Sequence, residues 1–379
     1  MPEYPVVVIG AGPVGVAVAL GLRDRGVDAV VIERGDGVAW SWRSRYDCLH
    51  LNTGKHSSHL PGIRYPRHTP MFPSSDEVVR HVETAAVGLD IRFDTVAQRL
   101  DRGSGGWLLQ TTAGTFDAQN IVVATGQGHT PYLPEWVGRQ GFTGEVLHSS
   151  DYRNPDPFVG KRVLVVGCGS SGMEVAYDLV TGGAAKVWIA ARTPPNILLR
   201  TGPVGSPGSA IAAPLYHLPP RIADKVANTA RRTTIGDLTS LGLPIPAEGP
   251  FARSARLGVA PAIVDVEVID AIKAGHIEVV SAPASFDGDA VRLQDETRLS
   301  PDVVICATGY RTGLGELVGH LDVLDERGMP KSLRGEAVID GLRFLGFEPR
   351  PSQFGYACKR ARRVAREIAA TLGRVSPPQ

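Results

Sequence analysis

Cysteine is scarce and scattered: the four in 379 residues, Cys48, Cys168, Cys306 and Cys358, form no C-x-x-C or C-x-x-x-x-C pair. Electron transfer through a thiol pair of neighbouring residues is therefore excluded, and all four read as small apolar core residues. Charge of one sign is lacking too. Forty basic against 39 acidic residues leave +1, no electrostatic footprint for nucleic acid or an acidic membrane surface. The one dense basic cluster, Lys359-Arg360-Ala361-Arg362-Arg363, falls in a stretch of helical periodicity and reads as a solvated helix face. Nor is there a long uninterrupted apolar run. Val6 to Leu22 is broken by Gly10, Gly12 and Gly15, with no basic leader before it and no small-residue cleavage site after it. Ala361 to Val375 carries too many charges for a membrane tail. No metal-ligand cluster and no catalytic triad stands out. The expectation is a cytoplasmic protein with small-molecule partners, no membrane span and no nucleic acid.

What is present is one module used twice. Pro5 to Ile9 reads as a strand; it runs into Gly10-Ala11-Gly12-Pro13-Val14-Gly15, a helical pattern to about Arg25, and a second apolar run ending at Glu33. The same order recurs at Arg162 to Val166, Gly167-Cys168-Gly169-Ser170-Ser171-Gly172, a helix to about Val180, and a run ending at Arg192. Each half then shows short alternating strands with glycine turns before an Ala-Thr-Gly signature, Ala124-Thr125-Gly126 and Ala307-Thr308-Gly309. The second copy is longer. Its extra length falls between Pro194 and Pro261, which hold eleven of the 29 prolines and weak periodicity, as a loop or cap would. Repeated strand-helix-strand order predicts an α/β fold of two Rossmann-type dinucleotide-binding domains, the second inserted in the first. The expected boundaries are 1–155, 156–300 with the cap at about 194–261, and 301–379, the chain returning near Ile305 to complete the first domain.

In a G-x-G-x-x-G turn the first glycine makes the bend, the second admits the pyrophosphate and the third lets helix and strand pack closely. One such match is weak evidence; two, each between a strand and a helix, are strong. Glu33 lies where a carboxylate accepts hydrogen bonds from ribose hydroxyls, which suits the adenosine of FAD. The second module has no acid there and ends on Arg192, a guanidinium where a 2′-phosphate would lie, which favours NADPH over NADH. An ordinary exposed arginine is the alternative.

Between the modules, Phe142-x-Gly144-x-x-x-His148-x-x-x-Tyr152 resembles the fingerprint of flavin-containing monooxygenases. Trp42, Tyr46-Asp47, Ser74, Gly167 to Asp178, Gly236-Asp237, Gly249-Pro250 and Ala307 to Tyr310 resemble positions in the YUCCA-like branch of that family. The resemblance implies FAD and NADPH as cofactors, with hydride reducing the flavin, oxygen forming a C4a-hydroperoxide, and one oxygen atom passing to a small organic substrate. A nitrogen or sulfur nucleophile is the first expectation; oxidative decarboxylation of a 2-oxo acid, as in plant YUCCA enzymes, is the alternative. Asn52 resembles the asparagine that the family places beside the flavin's oxygen-reactive face, where plant YUCCA proteins generally differ; a turn asparagine bonding its own backbone is the other reading. Trp42 and Arg43 are candidates to line the flavin, a core tryptophan being nearly as good a description. His148 and Tyr152 are expected to shape the surroundings of NADPH without acid–base chemistry, and Tyr152 stands where Baeyer–Villiger relatives usually carry tryptophan. The loop from Pro203 to Gly208 is expected to border the substrate pocket. An NADPH oxidase or reductase without oxygen insertion, or a non-enzymatic redox sensor, would share the scaffold.

Overall fold

Tyr4–Ile9 and Arg162–Val166 are buried at successive positions without alternation, the pattern of strands covered on both faces in a parallel sheet. Each is central in its sheet. The computed structural model describes residues 2–202, 205–348 and 353–373. The chain forms two compact units: Met1–Ser44, Lys55–Thr130 and Tyr310–Gln379 make the first, Arg45–Gly54 and Pro131–Gly309 the second.

In unit one the strands Asp90–Arg92, Ala29–Ile32, Tyr4–Ile9, Gly114–Val123 and Leu342–Leu345 lie side by side, all parallel, with Arg334–Ile339 antiparallel at the edge. Trp107–Thr111 and Ala97–Arg102 fold back from Gly114–Val123 as an antiparallel extension. The core gathers Val7, Ile9, Ile121, Val123 and Phe344 around the fully buried Trp107, whose Nε1 donates to Asp340 O at 3.1 Å. The C-terminal helix Gln353–Gly373 packs on the helix Pro13–Arg23; a Cβ at Gly21 would come within 2.9 Å of Ala365 Cβ. Lys359, Arg362 and Arg363 point to solvent from it, as the basic cluster predicts.

Unit two repeats the order with Ile277–Ser281, Lys186–Ala191, Arg162–Val166, Val303–Cys306 and Glu145–His148, again all parallel. Its fifth strand, Glu145–His148, precedes the module in sequence, and Val303–Cys306 belongs to this sheet. The chain therefore re-enters unit one at Tyr310, after the Ile305 run and not at it. The proline-rich stretch is not a plain loop. It is entered and left through Ile197–Leu199 and Ala262–Val264, which pair in parallel, and between them stand helices including Pro220–Thr234 and Pro250–Leu257. Both of those helices begin on a proline, the position where its missing N–H and fixed φ cost nothing; the same residues that read as loop punctuation start helices. Pro203 and Val204 of the expected pocket loop lie outside the described residues. Among the described residues no helix is long and apolar enough to cross a membrane.

Candidate functional site

The glycines of the first loop divide by physical cause. Gly10 has φ +104°, and a Cβ there would sit 2.8 Å from Ala124 O; a Cβ at Gly15 would lie 1.8 Å from Gly10 O. Both are demanded by the fold. Gly12 is not: it caps the helix Pro13–Arg23 in extended backbone open to any residue, and a Cβ on it would meet nothing within 4 Å. The space it leaves open faces a helix N-terminus, where unpaired N–H groups favour a phosphate. Glu33, buried, accepts the Ala11 N–H at 2.7 Å through Oε2 and the Gly35 N–H at 3.0 Å through Oε1. It braces the loop, and each oxygen retains a second lone pair for a ribose hydroxyl. Thr125 and Gly126 follow directly on Ala124, against Gly10; Thr125 Oγ1 is buried without a partner among the described residues, and Gly126 has φ +75° with open space around it. Trp42 and Arg43 end a single helical turn. Trp42 is half-buried, while Arg43 spends its guanidinium on Val38 O at 2.9 Å and Glu83 at 2.5 Å, so bracing is the task its contacts describe.

The second loop repeats the division. Gly167 has φ +114° and would bring a Cβ within 2.4 Å of Ala307 O; Gly172 would place one 1.8 Å from Gly167 O; Gly169 would meet nothing within 4 Å. The adjoining serines are engaged by protein. Ser170 Oγ accepts the Ile263 N–H at 2.9 Å, and Ser171 Oγ lies 3.3 Å from the Tyr46 hydroxyl. Tyr46 donates at 2.6 Å to Glu174, which pairs with the equally buried Arg200, itself 3.2 Å from Asp265. Burial pushes the Glu174 carboxyl up to about 7, against the opposing pull of Arg200 and Tyr46. Sequence reasoning missed this pair, although an acid on the apolar face of a helix was a usable signal. Arg192 follows directly on the strand Lys186–Ala191, exposed and without a partner among the described residues. Beside Gly169 opens a cleft of 160 Å³ lined by Cys168, Thr193, Pro195, Asn196 and Arg253, among others.

Each polar atom of the fingerprint is satisfied within unit two. His148 is 1% exposed; its Nδ1 accepts the Ser150 N–H at 3.0 Å, which leaves the proton on Nε2 to donate to Gly309 O at 3.0 Å. Burial lowers its pKa, so the ring is neutral. Gly309 O also accepts the Tyr132 N–H at 3.0 Å, and Thr308 Oγ1 donates to Tyr132 O. The Tyr152 hydroxyl donates to Asp178 at 2.6 Å, and burial holds its pKa far above the usual phenol value. Phe142 meets Phe286 edge-on at 5.1 Å, and a Cβ at Gly144 would fall 2.7 Å from Asp302 O. These four positions fix the strand Glu145–His148 into its sheet.

Asn52 rides on the segment Arg45–Gly54, which belongs to unit two. Asp47 holds that segment: its N–H donates to Arg153 O at 2.9 Å and its carboxylate pairs with the Arg153 guanidinium at 2.7 Å. Asn52 Oδ1 is buried and accepts no hydrogen bond from any described residue, so the bond that a turn asparagine would make through that oxygen is absent.

The pyridine nucleotide-disulphide oxidoreductase family matches residues 7–197, about half the chain. The disulphide in that description has no counterpart among neighbouring cysteines here, and all four thiols are free. Indole-3-pyruvate monooxygenase YUCCA1 of Oryza sativa subsp. japonica is 36% identical over 356 residues, 91% of this chain and 86% of that protein. Among solved structures, the flavin-containing monooxygenase from Stenotrophomonas maltophilia shares the fold with a TM-score of 0.73 at 23% identity, over 98% of this chain and all of that one. OTEMO in complex with FAD and NADP does so with a TM-score of 0.75 at 18% identity, over 98% of this chain and 85% of that one. With two Rossmann-type units, two open-centred glycine loops and a relative this similar along nearly its whole length, the chain belongs to the YUCCA-like branch of the flavin-containing monooxygenases, a flavin-dependent monooxygenase with FAD and NADPH as its cofactors.

Proposed function

We propose that unit one holds FAD, unit two holds NADPH, and the oxygen atom goes to a small 2-oxo acid in the cytoplasm, with molecular oxygen as co-substrate. The observation that carries the cofactor assignment is the pair Gly12 and Gly169, the loop glycines that the fold itself does not require. Glu33 fits the diol of an adenosine ribose, and Arg192, solvent-facing directly after its strand, fits the extra phosphate that distinguishes NADPH. Reduced flavin supplies the activation of oxygen. The chain supplies position and a dry, hydrogen-bonded setting: helix N-termini for the two pyrophosphates, Thr125 as a hydroxyl still in need of a partner, and the Asn52 amide as a group that donates and accepts at once. No acid–base dyad is invoked; His148 and Tyr152 remain scaffold.

The substrate class is carried by the indole-3-pyruvate monooxygenases that the chain resembles across nine-tenths of its length. A 2-oxo acid, O2 and NADPH with one proton would give the carboxylic acid one carbon shorter, CO2, NADP⁺ and water. The resemblance of Asn52 to the asparagine of amine- and sulfide-oxidising members favours a second reading, transfer to nitrogen or sulfur. Turnover with indole-3-pyruvate, phenylpyruvate, a tertiary amine and a thioether separates the two. Release of CO2 in step with NADPH consumption supports the first; an N-oxide or sulfoxide without CO2 replaces it with the second; NADPH oxidation yielding hydrogen peroxide alone with all four overturns both.

A further inference from the structure

Arg253 is a cation that the fold of unit two does not use. It lies half-buried on the helix Pro250–Leu257, lines the cleft beside Gly169, and makes no hydrogen bond or ion pair with any described residue. Its surroundings are settled. Asp224 receives the Phe251 and Ala252 N–H groups at 2.8 and 3.2 Å, which anchors the start of the helix. Glu248, the nearby acid, pairs with Arg256 through both oxygens at 2.9 and 2.5 Å and feels the Arg253 charge only at a distance, without a hydrogen bond or ion pair to it. Cys168 adds no negative charge to the wall, since burial pushes its thiol up to about 11. Pro195, Pro250 and Pro261 supply apolar walls, and the bare backbone of Gly169 opens onto the space. An apolar slot of 160 Å³ with an uncommitted guanidinium at a nucleotide-type loop suits an adenosine carrying an extra anionic group, because a flat base covers apolar walls while a planar fork of donors matches phosphate oxygens.

We propose that Arg253 is a second phosphate-recognising cation, which together with Arg192 selects the 2′-phosphate of NADPH. The inference rests on the assignment of unit two to that coenzyme. It also gives the inserted segment a task, because the helix bearing Arg253 exists only through the extra length of the second module.

The test measures binding, not turnover. Adenosine 2′,5′-bisphosphate and adenosine 5′-monophosphate are titrated by calorimetry into FAD-loaded wild type, Arg253→Ala, Arg253→Lys and Arg192→Ala. A charge-assisted contact predicts that Arg253→Ala weakens the bisphosphate by about 10- to 100-fold and the monophosphate by less than about 2-fold. Arg253→Lys should fall between, keeping the charge and losing the fork. Equal losses with both ligands would make Arg253 a packing residue and overturn the proposal, as would an unchanged bisphosphate affinity. If Arg192→Ala abolishes the preference while Arg253→Ala keeps it, the NADPH assignment stands and only Arg253 falls. If wild type shows no preference for the bisphosphate, both fall together.

Discussion

At the scale of single residues, the glycine loops allow a comparison in which fold and ligand separate. Gly15→Ala drives a Cβ into the Gly10 carbonyl at 1.8 Å, a backbone contact that nothing nearby can relieve, so loss of folded protein is expected, at a cost above the usual ~1 to 3 kcal/mol of overpacking. Gly12→Val meets open space and should fold, yet its side chain stands in the path of a pyrophosphate. Folded, colourless protein by circular dichroism and flavin absorbance is the expected result; a yellow Gly12→Val protein with full FAD content would refute the assignment of that loop. Asn52→Ala tests the unpartnered amide oxygen. Losing hydrogen bonds of this kind costs about 1 to 3 kcal/mol, enough to alter the lifetime of an activated oxygen species ten- to a hundredfold. Flavin reduction by NADPH should change little, and hydrogen peroxide should replace product as NADPH is consumed. A wild-type ratio of peroxide to NADPH would return Asn52 to the status of a bend residue. Why Gly10, Gly15, Gly167 and Gly172 are legible in the sequence is plain at this scale: each answers a local backbone demand that only glycine meets, whereas Gly12 and Gly169 stand out only through the repeated spacing of the two loops. Glu174 and Arg200 lie 26 positions apart and meet only through tertiary packing.

At the scale of elements, the helix Ser75–Ala86 shows a start fully encoded in sequence and a pH response that is not. Ser74 and Glu77 form a capping box: the Ser74 hydroxyl accepts the Glu77 N–H at 3.3 Å while Glu77 accepts the Ser74 N–H at 2.8 Å. Further along, His81 is 5% exposed, stacked on Tyr65 with ring centroids 4.0 Å apart, and accepts the Leu60 N–H at 3.0 Å. Burial, with a smaller contribution from His59, lowers its pKa from 6.5 to about 4. Between those values the unfolded chain binds a proton that the folded chain refuses. The stability that neutral His81 contributes is therefore fully present above pH 6.5 and is lost as the pH falls toward 4, by roughly 3 kcal/mol in all. Urea unfolding at pH 7 and pH 4.5 should show a smaller pH dependence for His81→Gln than for wild type; identical dependences would show that other groups carry the acid sensitivity. The helices of the inserted segment were the least legible elements. Their prolines mark helix starts, but in sequence they cannot be told from turn residues until the strands on either side are seen to pair.

For the whole molecule, two units with separate sheets and separate cores predict ligand-specific stabilisation. A ligand held only by the native state at about 100 times its Kd contributes about 2.7 kcal/mol. FAD should raise the thermal transition of the deflavinated protein by several degrees, and FMN, lacking the adenosine that Glu33 is placed to meet, by clearly less. Gly12→Val should abolish the FAD response and leave that to NADP⁺ intact. Equal shifts with FAD and FMN would remove the adenosine from unit one. The two-module plan was legible because its loops repeat, whereas the origin of each sheet's last strand was not, since no local pattern records which distant segment will pair.

That last strand sets a schedule for synthesis. Glu145–His148 leaves the ribosome before Val303–Cys306, the strand it pairs with. At about 5 to 20 residues per second, the intervening stretch of about 150 residues takes on the order of ten to thirty seconds to translate. Throughout that interval the His148 ring lacks the Gly309 carbonyl that will accept its Nε2–H, and the unpaired strand, with Val146 and Leu147 at its centre, offers a bare edge of the kind that recruits other chains. Nascent protein should therefore be most prone to aggregate, and most in need of a chaperone, in the period before residue 309 emerges.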